Sequence, residues 1–249
     1  MNERDFHDHH YGQEAAGIFD SPIFSRVHER SARDFLRATG AGPRHRILSL
    51  GCGDGSIERR LARHVGEIIG MDVSAVAIDQ AREKSRSAGL SNVTFLVSAP
   101  EAPRLDGLGE FDVVAAFAFL HHLEDAAIDA TLRAAKRALR PGGTFYSSDP
   151  SRRRLVGLFT PLVRRIYDRY HSPDERELDP ESLAAAATQA GFAAPAIRYT
   201  DYFLGPLAWL APGTPGWLAV ALQAMDDLAL RLPLVRTYAS SFNLLARAP

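Results

Sequence analysis

The sequence predicts an α/β protein with a mostly parallel sheet, on three observations. Apolar runs of strand length alternate with stretches of helical periodicity through the first 150 residues. The first run, Ile47-Leu48-Ser49-Leu50, breaks into Gly51-Cys52-Gly53-Asp54-Gly55. The second ends on an acid, Asp72, about 20 positions downstream. A strand buried on both faces reads as a near-continuous apolar segment. Glycines just past its carboxyl end let backbone approach a ligand where a Cβ would collide. An acid at the end of the neighbouring strand is then placed to accept hydrogen bonds from ribose hydroxyls.

In chain order, the polar, histidine-rich residues 1–21 read as a mobile start, and Ile23 to Leu36 carries apolar residues at near-helical spacing. Core strands are expected at Arg46–Leu50, Glu67–Asp72, Val93–Val97, Asp112–Phe117 and Thr144–Ser148. Helices between them imply right-handed crossovers. Ser74 is a fitting N-cap for a helix from Ala75 to Ser87, and Pro141-Gly142-Gly143 stops the helix that closes on Leu139. After Pro150, Arg152, Arg153, Arg154, Arg164, Arg165 and Arg169 interleave with Leu155, Leu158, Phe159, Leu162 and Ile166, the pattern of an amphipathic helix kinked or restarted at Pro161. Asp179-Pro180 opens another helix that ends at Gly191. Ala196–Thr200 and Thr237–Ala246 read as the last two strands. The uncharged stretch from Phe203 to Gln223 has bilayer-crossing length, but Pro206, Pro212 and Pro215 break it, so it reads as a core or substrate-pocket segment.

Composition narrows the function classes. A chain of 249 residues with 46% apolar side chains is enough for one α/β unit with additions. A net charge of -1 supplies no global field for nucleic acid, so no nucleic-acid partner is expected. One cysteine, Cys52, excludes an intramolecular disulfide, and Met1-Asn2-Glu3-Arg4-Asp5 lacks the layout of a secretion signal; the expected compartment is the cytoplasm. Cys52 reads as a small packing residue inside the glycine turn. Ser56 holds the sixth position of the turn, which departs from the G-x-G-x-x-G of dinucleotide sites, and no P-loop lysine follows. His7, Asp8, His9 and His10 are adjacent, and adjacent residues rarely converge on one ion, so no metal is expected.

Three further segments make the pattern specific: Phe111-Asp112-Val113-Val114-Ala115-Ala116-Phe117, then Leu120-His121-His122-Leu123, then Leu139-Arg140-Pro141-Gly142-Gly143-Thr144-Phe145. In this order, and with the glycine turn, residues 44–150 resemble a class I S-adenosylmethionine-dependent methyltransferase. The similarity is greatest to the small-molecule group that includes the quinone-biosynthesis methyltransferases. The resemblance implies a seven-stranded Rossmann-like sheet, mostly parallel with an antiparallel last strand and helices on both faces, plus a helical lid and an insertion at about residues 201–235. It divides the chain into an N-terminal segment and helix covering the cofactor (1–40), a cofactor-binding core (41–150) and a lid, insertion and final strands of the same domain (151–249).

The resemblance also assigns roles. S-adenosylmethionine is the expected cofactor, with S-adenosylhomocysteine as product. Gly51, Cys52, Gly53 and Gly55 would lie against its methionine and ribose, Asp72 would hold the ribose hydroxyls, Asp54 its amino end, and Val73 the adenine. The acid that usually accepts the adenine amino group is replaced by Ala99, within Val97-Ser98-Ala99-Pro100-Glu101, so Ser98 or Glu101 takes over or affinity is modest. Phe117 and Ala118 sit at the switch region, and Tyr11 would close over the cofactor. His121, His122 and Asp149 are the catalytic candidates, to orient the acceptor or remove its proton; packing on the cofactor, or a turn at Asp149-Pro150, is the plainer alternative. Tyr170 and His171 would face the acceptor or solvent. The acceptor pocket would draw on Tyr202, Phe203, Leu204, Trp209, Trp217 and Leu218, an apolar set that suits a hydrophobic or amphipathic small molecule methylated on O, N or C. The arginine-rich helix is either a solvated basic face or a lid that also makes peripheral contact with anionic membrane lipid. The other class of function is a fold relative without turnover that serves as a binding or assembly partner, motivated by Ala99.

Overall fold

In the computed structural model, residues 8–9, 11–12, 17–98, 108–155, 157 and 175–249 are described. Helix α1 (Pro22–Thr39) begins where Ser21 caps the Phe24 amide and Pro22 presets the first turn, and it stops where Gly40 takes a left-handed φ of 69°. Then follow β1 (Arg46–Leu50), α2 (Ser56–Leu61), β2 (Glu67–Asp72), α3 (Ala75–Ser87), β3 (Val93–Val97) and β4 (Phe111–Phe117). A 3₁₀ turn at Leu120–His122 leads to α4 (Asp125–Ala138), β5 (Leu139–Pro150), α5 (Pro180–Gln189) and β6 (Ala193–Thr200). The insertion holds α6 (Leu204–Leu210) and α7 (Gly216–Ala229), and β7 (Ser241–Arg247) completes the described elements.

The seven strands form one sheet in the order β3-β2-β1-β4-β5-β7-β6. All neighbours pair in parallel except β7, which runs antiparallel to both β5 and β6. The strand alternation explains the two cores. Ile47, Ile68, Val113 and Ala115 face α1 and α2 through Phe35 and Leu61. Leu48, Ile69, Val114 and Ala116 face α4 and α5 through Leu132 and Leu183. Each buried Val, Leu or Ile side chain among these contributes about 1.5–3 kcal/mol.

Ser74 and Asp179 cap their helices as expected, accepting from the Ala77 and Ser182 amides. Three boundaries differ from expectation. Strand β5 starts directly at the end of α4, because Leu139 pairs with Phe111; Pro141-Gly142-Gly143 becomes an irregularity inside the pairing, with the Gly142 amide donating to the Ala248 carbonyl. Strand β6 starts at Ala193 because Ala194, at φ 46°, absorbs a register shift. Strand β7 starts at Ser241, since Arg236–Tyr238 winds into a 3₁₀ turn. The uncharged insertion is two separate helices, and among the described residues no helix is long and apolar enough to cross a membrane. The arginine-rich stretch 158–171, with Tyr170 and His171, lies outside the described residues, as do Ala99, Pro100 and Glu101.

Candidate active site

The carboxyl end of β1 turns sharply at Gly51, whose φ is 65°, and a Cβ there would run into the ring of Phe119. Gly53, at φ 51°, is overlain by the Tyr11 hydroxyl, which leaves no room for a side chain. Gly55 then caps α2. Asp72, at the end of β2 and 8% exposed, locks this turn: one carboxylate oxygen accepts from the Gly53 amide at 2.8 Å and the other from the Ser74 amide at 2.9 Å. The N-terminal segment is stitched over the same place. Asp8 accepts from the Ser74 hydroxyl at 2.5 Å, and the Tyr11 carbonyl from Gln80 at 2.9 Å. Burial, then the charges of Asp72 and Asp54, push the Tyr11 hydroxyl pKa well up, so it stays protonated.

Asp54 turns to protein partners. Burial opposes its charge, yet Lys84 at 2.7 Å, the Ser56 amide at 3.0 Å and nearby Arg59 hold its pKa below the ordinary carboxylate value. Beside it lies Glu58, 1% exposed, which accepts from the Ser49 hydroxyl at 2.6 Å. Burial raises its pKa to about 7 against that hydrogen bond. Sequence reasoning missed Glu58; the available signal was Ser49, a lone hydroxyl in an apolar strand on the face that α2 covers. The Cys52 thiol is pushed well up by burial and by Glu58 and Asp72, which leaves it inert and suits a packing role.

A cavity of about 320 Å³ opens at the carboxyl ends of β1, β4 and β5. It brings together Tyr11, Gly51, Cys52, Gly53, Asp54, Phe117, Ala118, His121, His122 and Asp149 from distant parts of the chain. Gly55, Asp72, Val73 and Ser98 stand off its wall; the Ser98 amide donates to the Asp72 carbonyl at 2.9 Å. Of the expected apolar pocket residues, Leu204 and Trp209 line the cavity with Phe19 and Phe24, whereas Tyr202 packs inside the insertion and Trp217 is 74% exposed. Trp209 meets Phe24 edge to face at 4.8 Å and Phe19 at 5.8 Å.

The opposite wall is polar. Ala118, held at φ 47° past the end of β4, starts the turn that carries His121 and His122. His121 Nδ1 lies 3.3 Å from Asp149 Oδ1, which also accepts from the His121 amide at 3.2 Å. Burial raises the Asp149 carboxyl to about 7 against the amides around it. Glu175 completes this wall: its carboxylate is 4.0 Å from His121 Nε2 and 3.7 Å from His122 Nδ1. Its place is fixed by the Arg176 amide donating to the His121 carbonyl at 3.0 Å and by Arg176 Nε donating to the Leu123 carbonyl at 3.1 Å. No motif in the sequence marked Glu175, because only tertiary pairing brings it to the histidines. His28, also on the cavity, is driven down to about 4 by burial and stays neutral.

This sheet order, with a glycine turn locked by an acid on the next strand and a cavity at the carboxyl edge, is the fold of the solved methyltransferase structures to which the chain is similar. Residues 47–143 match the family described as "Methyltransferase domain". Among curated relatives, the ubiquinone biosynthesis O-methyltransferase of Bordetella avium is 27% identical over 161 residues, 63% of this chain and 66% of that protein. The match thus spans a little under two thirds of the relative's length. Among solved structures, a putative methyltransferase in complex with the Trm112 activator from Haloferax volcanii superposes with a TM-score of 0.69 at 19% identity over 100% of both chains. Magnesium protoporphyrin IX methyltransferase from Synechocystis PCC 6803, solved with bound SAH, gives 0.66 at 15% identity over 99% and 98%.

Proposed function

We propose that this protein transfers a methyl group from S-adenosylmethionine to an oxygen of a hydrophobic, hydroxyl-bearing small molecule. The observation that carries the reading is one cavity with two ends: the Asp72-locked glycine turn at one, and apolar and polar walls facing each other at the other. The residues at the first end fit the donor. The positive-φ glycines present only backbone at this turn, and Asp72 is a buried carboxylate just behind the cavity wall, at the strand end beside which ribose hydroxyls would dock. Asp54, whose carboxyl is held below the ordinary value and stays ionised, would supply negative charge for an ammonium group.

When bound, S-adenosylmethionine supplies a methyl group already activated on a sulfonium, so the chain's task is alignment and exclusion of water. Phe19, Phe24, Leu204 and Trp209 would hold the apolar body of the acceptor. His121, His122, Asp149 and Glu175 would hold its hydroxyl, whose proton leaves as the new C–O bond forms and the C–S bond breaks with its electron pair on sulfur. The preference for oxygen is supported by the O-methyltransferase relatives, and the preference for an apolar body by the aromatic wall.

Calorimetric titration with S-adenosylhomocysteine, with NAD as control, is the first test. The expected result is micromolar binding of the former alone, followed by transfer of labelled methyl to phenolic acceptors with an apolar tail. Absence of binding to S-adenosylhomocysteine overturns the reading.

A further inference from the structure

We infer that His121, His122 and Glu175 bind one divalent transition-metal cation, which holds the acceptor oxygen; this deepens the methyl-transfer reading at its acceptor end. Among the described residues these three offer two imidazole nitrogens and a carboxylate oxygen, all within 4.8 Å of one another. A cation at about 2.1 Å from each would space its ligands about 3.4 Å apart. The 3.7 and 4.0 Å imidazole–carboxylate separations are within an ångström of that spacing, and the 4.8 Å bound on the whole set leaves at most about 1.4 Å to close on an ion.

Three features go beyond the mere clustering of ligand types. First, Asp149 Oδ1 sits on Nδ1 of His121, the ring nitrogen opposite the one that faces Glu175. A carboxylate on the far nitrogen fixes tautomer and ring orientation and raises the basicity of the coordinating nitrogen, the usual support of a metal-bound histidine. Second, the wall is held in shape. The His121 amide is tied to Asp149, the His121 carbonyl to Arg176, and the following segment to β5 through the Leu178 amide and Pro150 carbonyl at 3.1 Å. Third, all three ligands line the cavity that also reaches the glycine turn, so a cation there would be open to a small molecule on one side.

Two imidazoles and one carboxylate suit Zn²⁺, Co²⁺ or Mn²⁺ better than Mg²⁺, which prefers an all-oxygen shell. Three protein ligands leave a coordination position for an exchangeable oxygen. An acceptor hydroxyl taking that position would lose its proton to solvent more readily and point its oxygen toward the cofactor end of the cavity. The cation would thus supply what the imidazoles alone supply weakly, an ionised oxygen at neutral pH.

The test is titration of chelator-treated protein with Co²⁺, followed by its visible absorption bands, and with Zn²⁺ by calorimetry, each with S-adenosylhomocysteine binding measured in parallel. One cation per chain is expected. Glu175→Gln and His122→Ala should each weaken cation binding at least about tenfold, and Asp149→Asn about 10- to 100-fold, with S-adenosylhomocysteine affinity unchanged. Circular dichroism shows which variants are folded, and the near-isosteric Glu175→Gln serves as the decisive one. No binding of either cation, or binding equal in Glu175→Gln and the parent, overturns the proposal. Protein that takes up neither cation yet binds S-adenosylhomocysteine sinks the metal site and leaves the methyl-transfer reading intact. Protein that binds the cation but not S-adenosylhomocysteine does the reverse.

Discussion

The two ends of the cavity are built in opposite ways. The donor end is local: Gly51, Gly53, Glu58 and Asp72 lie within about 20 residues, and two adjacent parallel strands bring them together. The acceptor end is assembled from α1, the turn after β4, the end of β5, the segment at Glu175 and helix α6. A site made of neighbours can be read as a motif, whereas a site made of five separate segments depends on the packing of the whole fold. On the proposed function the difference also separates duties, since one end would need only to recognise a constant donor while the other would set what is methylated.

Substitutions sharpen that division. The largest effect is expected at the polar wall. His121→Ala should lower kcat by about 10²–10⁴-fold, with S-adenosylhomocysteine affinity held within a few fold. Equal losses in turnover and cofactor affinity would assign His121 to the donor end and break the comparison. Next, Asp72→Ala should weaken S-adenosylhomocysteine binding by about 1.5–3 kcal/mol in a calorimetric titration, because charge-assisted hydrogen bonds are lost. It should also lower the melting temperature, since the Gly53 and Ser74 amides lose their acceptor. Unchanged affinity would remove Asp72 from the site.

Glu58 provides a pH-dependent test of the donor end. Its pKa rises from 4.5 to about 7 on folding, so the folded chain binds the proton more tightly than the unfolded one. Its contribution is therefore fully present below about pH 4.5 and is lost as the pH rises through about 7. Relative to Glu58→Gln, the parent protein should lose about 3 kcal/mol across that window, measured by denaturant unfolding. Parallel stability curves for the two proteins would exclude a buried, neutral Glu58. The smallest effects contrast two tryptophans. Trp209→Ala, which removes an aromatic contact of a half-buried ring with Phe24, should destabilise by about 1 kcal/mol and raise KM for an apolar acceptor, whereas exposed Trp217→Ala should stay within about 0.5 kcal/mol and leave KM unchanged.

How far the sequence could be read follows the same line. The strands from Arg46 to Val97 stand where their apolar runs begin and end, because each is bounded by a turn residue or a cap that acts locally. Both edges of β5 and the starts of β6 and β7 were not legible, since they depend on where a distant partner pairs: Phe111 for Leu139, Ser241 for Pro150, and Arg247 for Ala193. Among site residues, the glycine turn, His121, His122 and Asp149 carried a spacing that could be recognised. Glu175 did not, because nothing near it in sequence reveals that Arg176 will hydrogen-bond to His121. Trp217 looked like a pocket residue by composition alone and lies on the surface.

The position of β7 between β5 and β6 bears on how the chain reaches this state. Residues 144–150 of β5 find their partners in residues 241–247, about 100 positions later. Until that pairing forms, one edge of β5 presents unpaired amides and carbonyls beside the nascent polar wall, and closing so long a loop is slow. Strands β1 to β4 carry their parallel pairings across shorter spans, about 20 positions for β1 with β2 and 66 for Ile47 of β1 with Val113 of β4, and can assemble first. Refolding should therefore pass through a species with an intact glycine turn and an unfinished sheet edge, able to bind nucleoside before it can hold an acceptor.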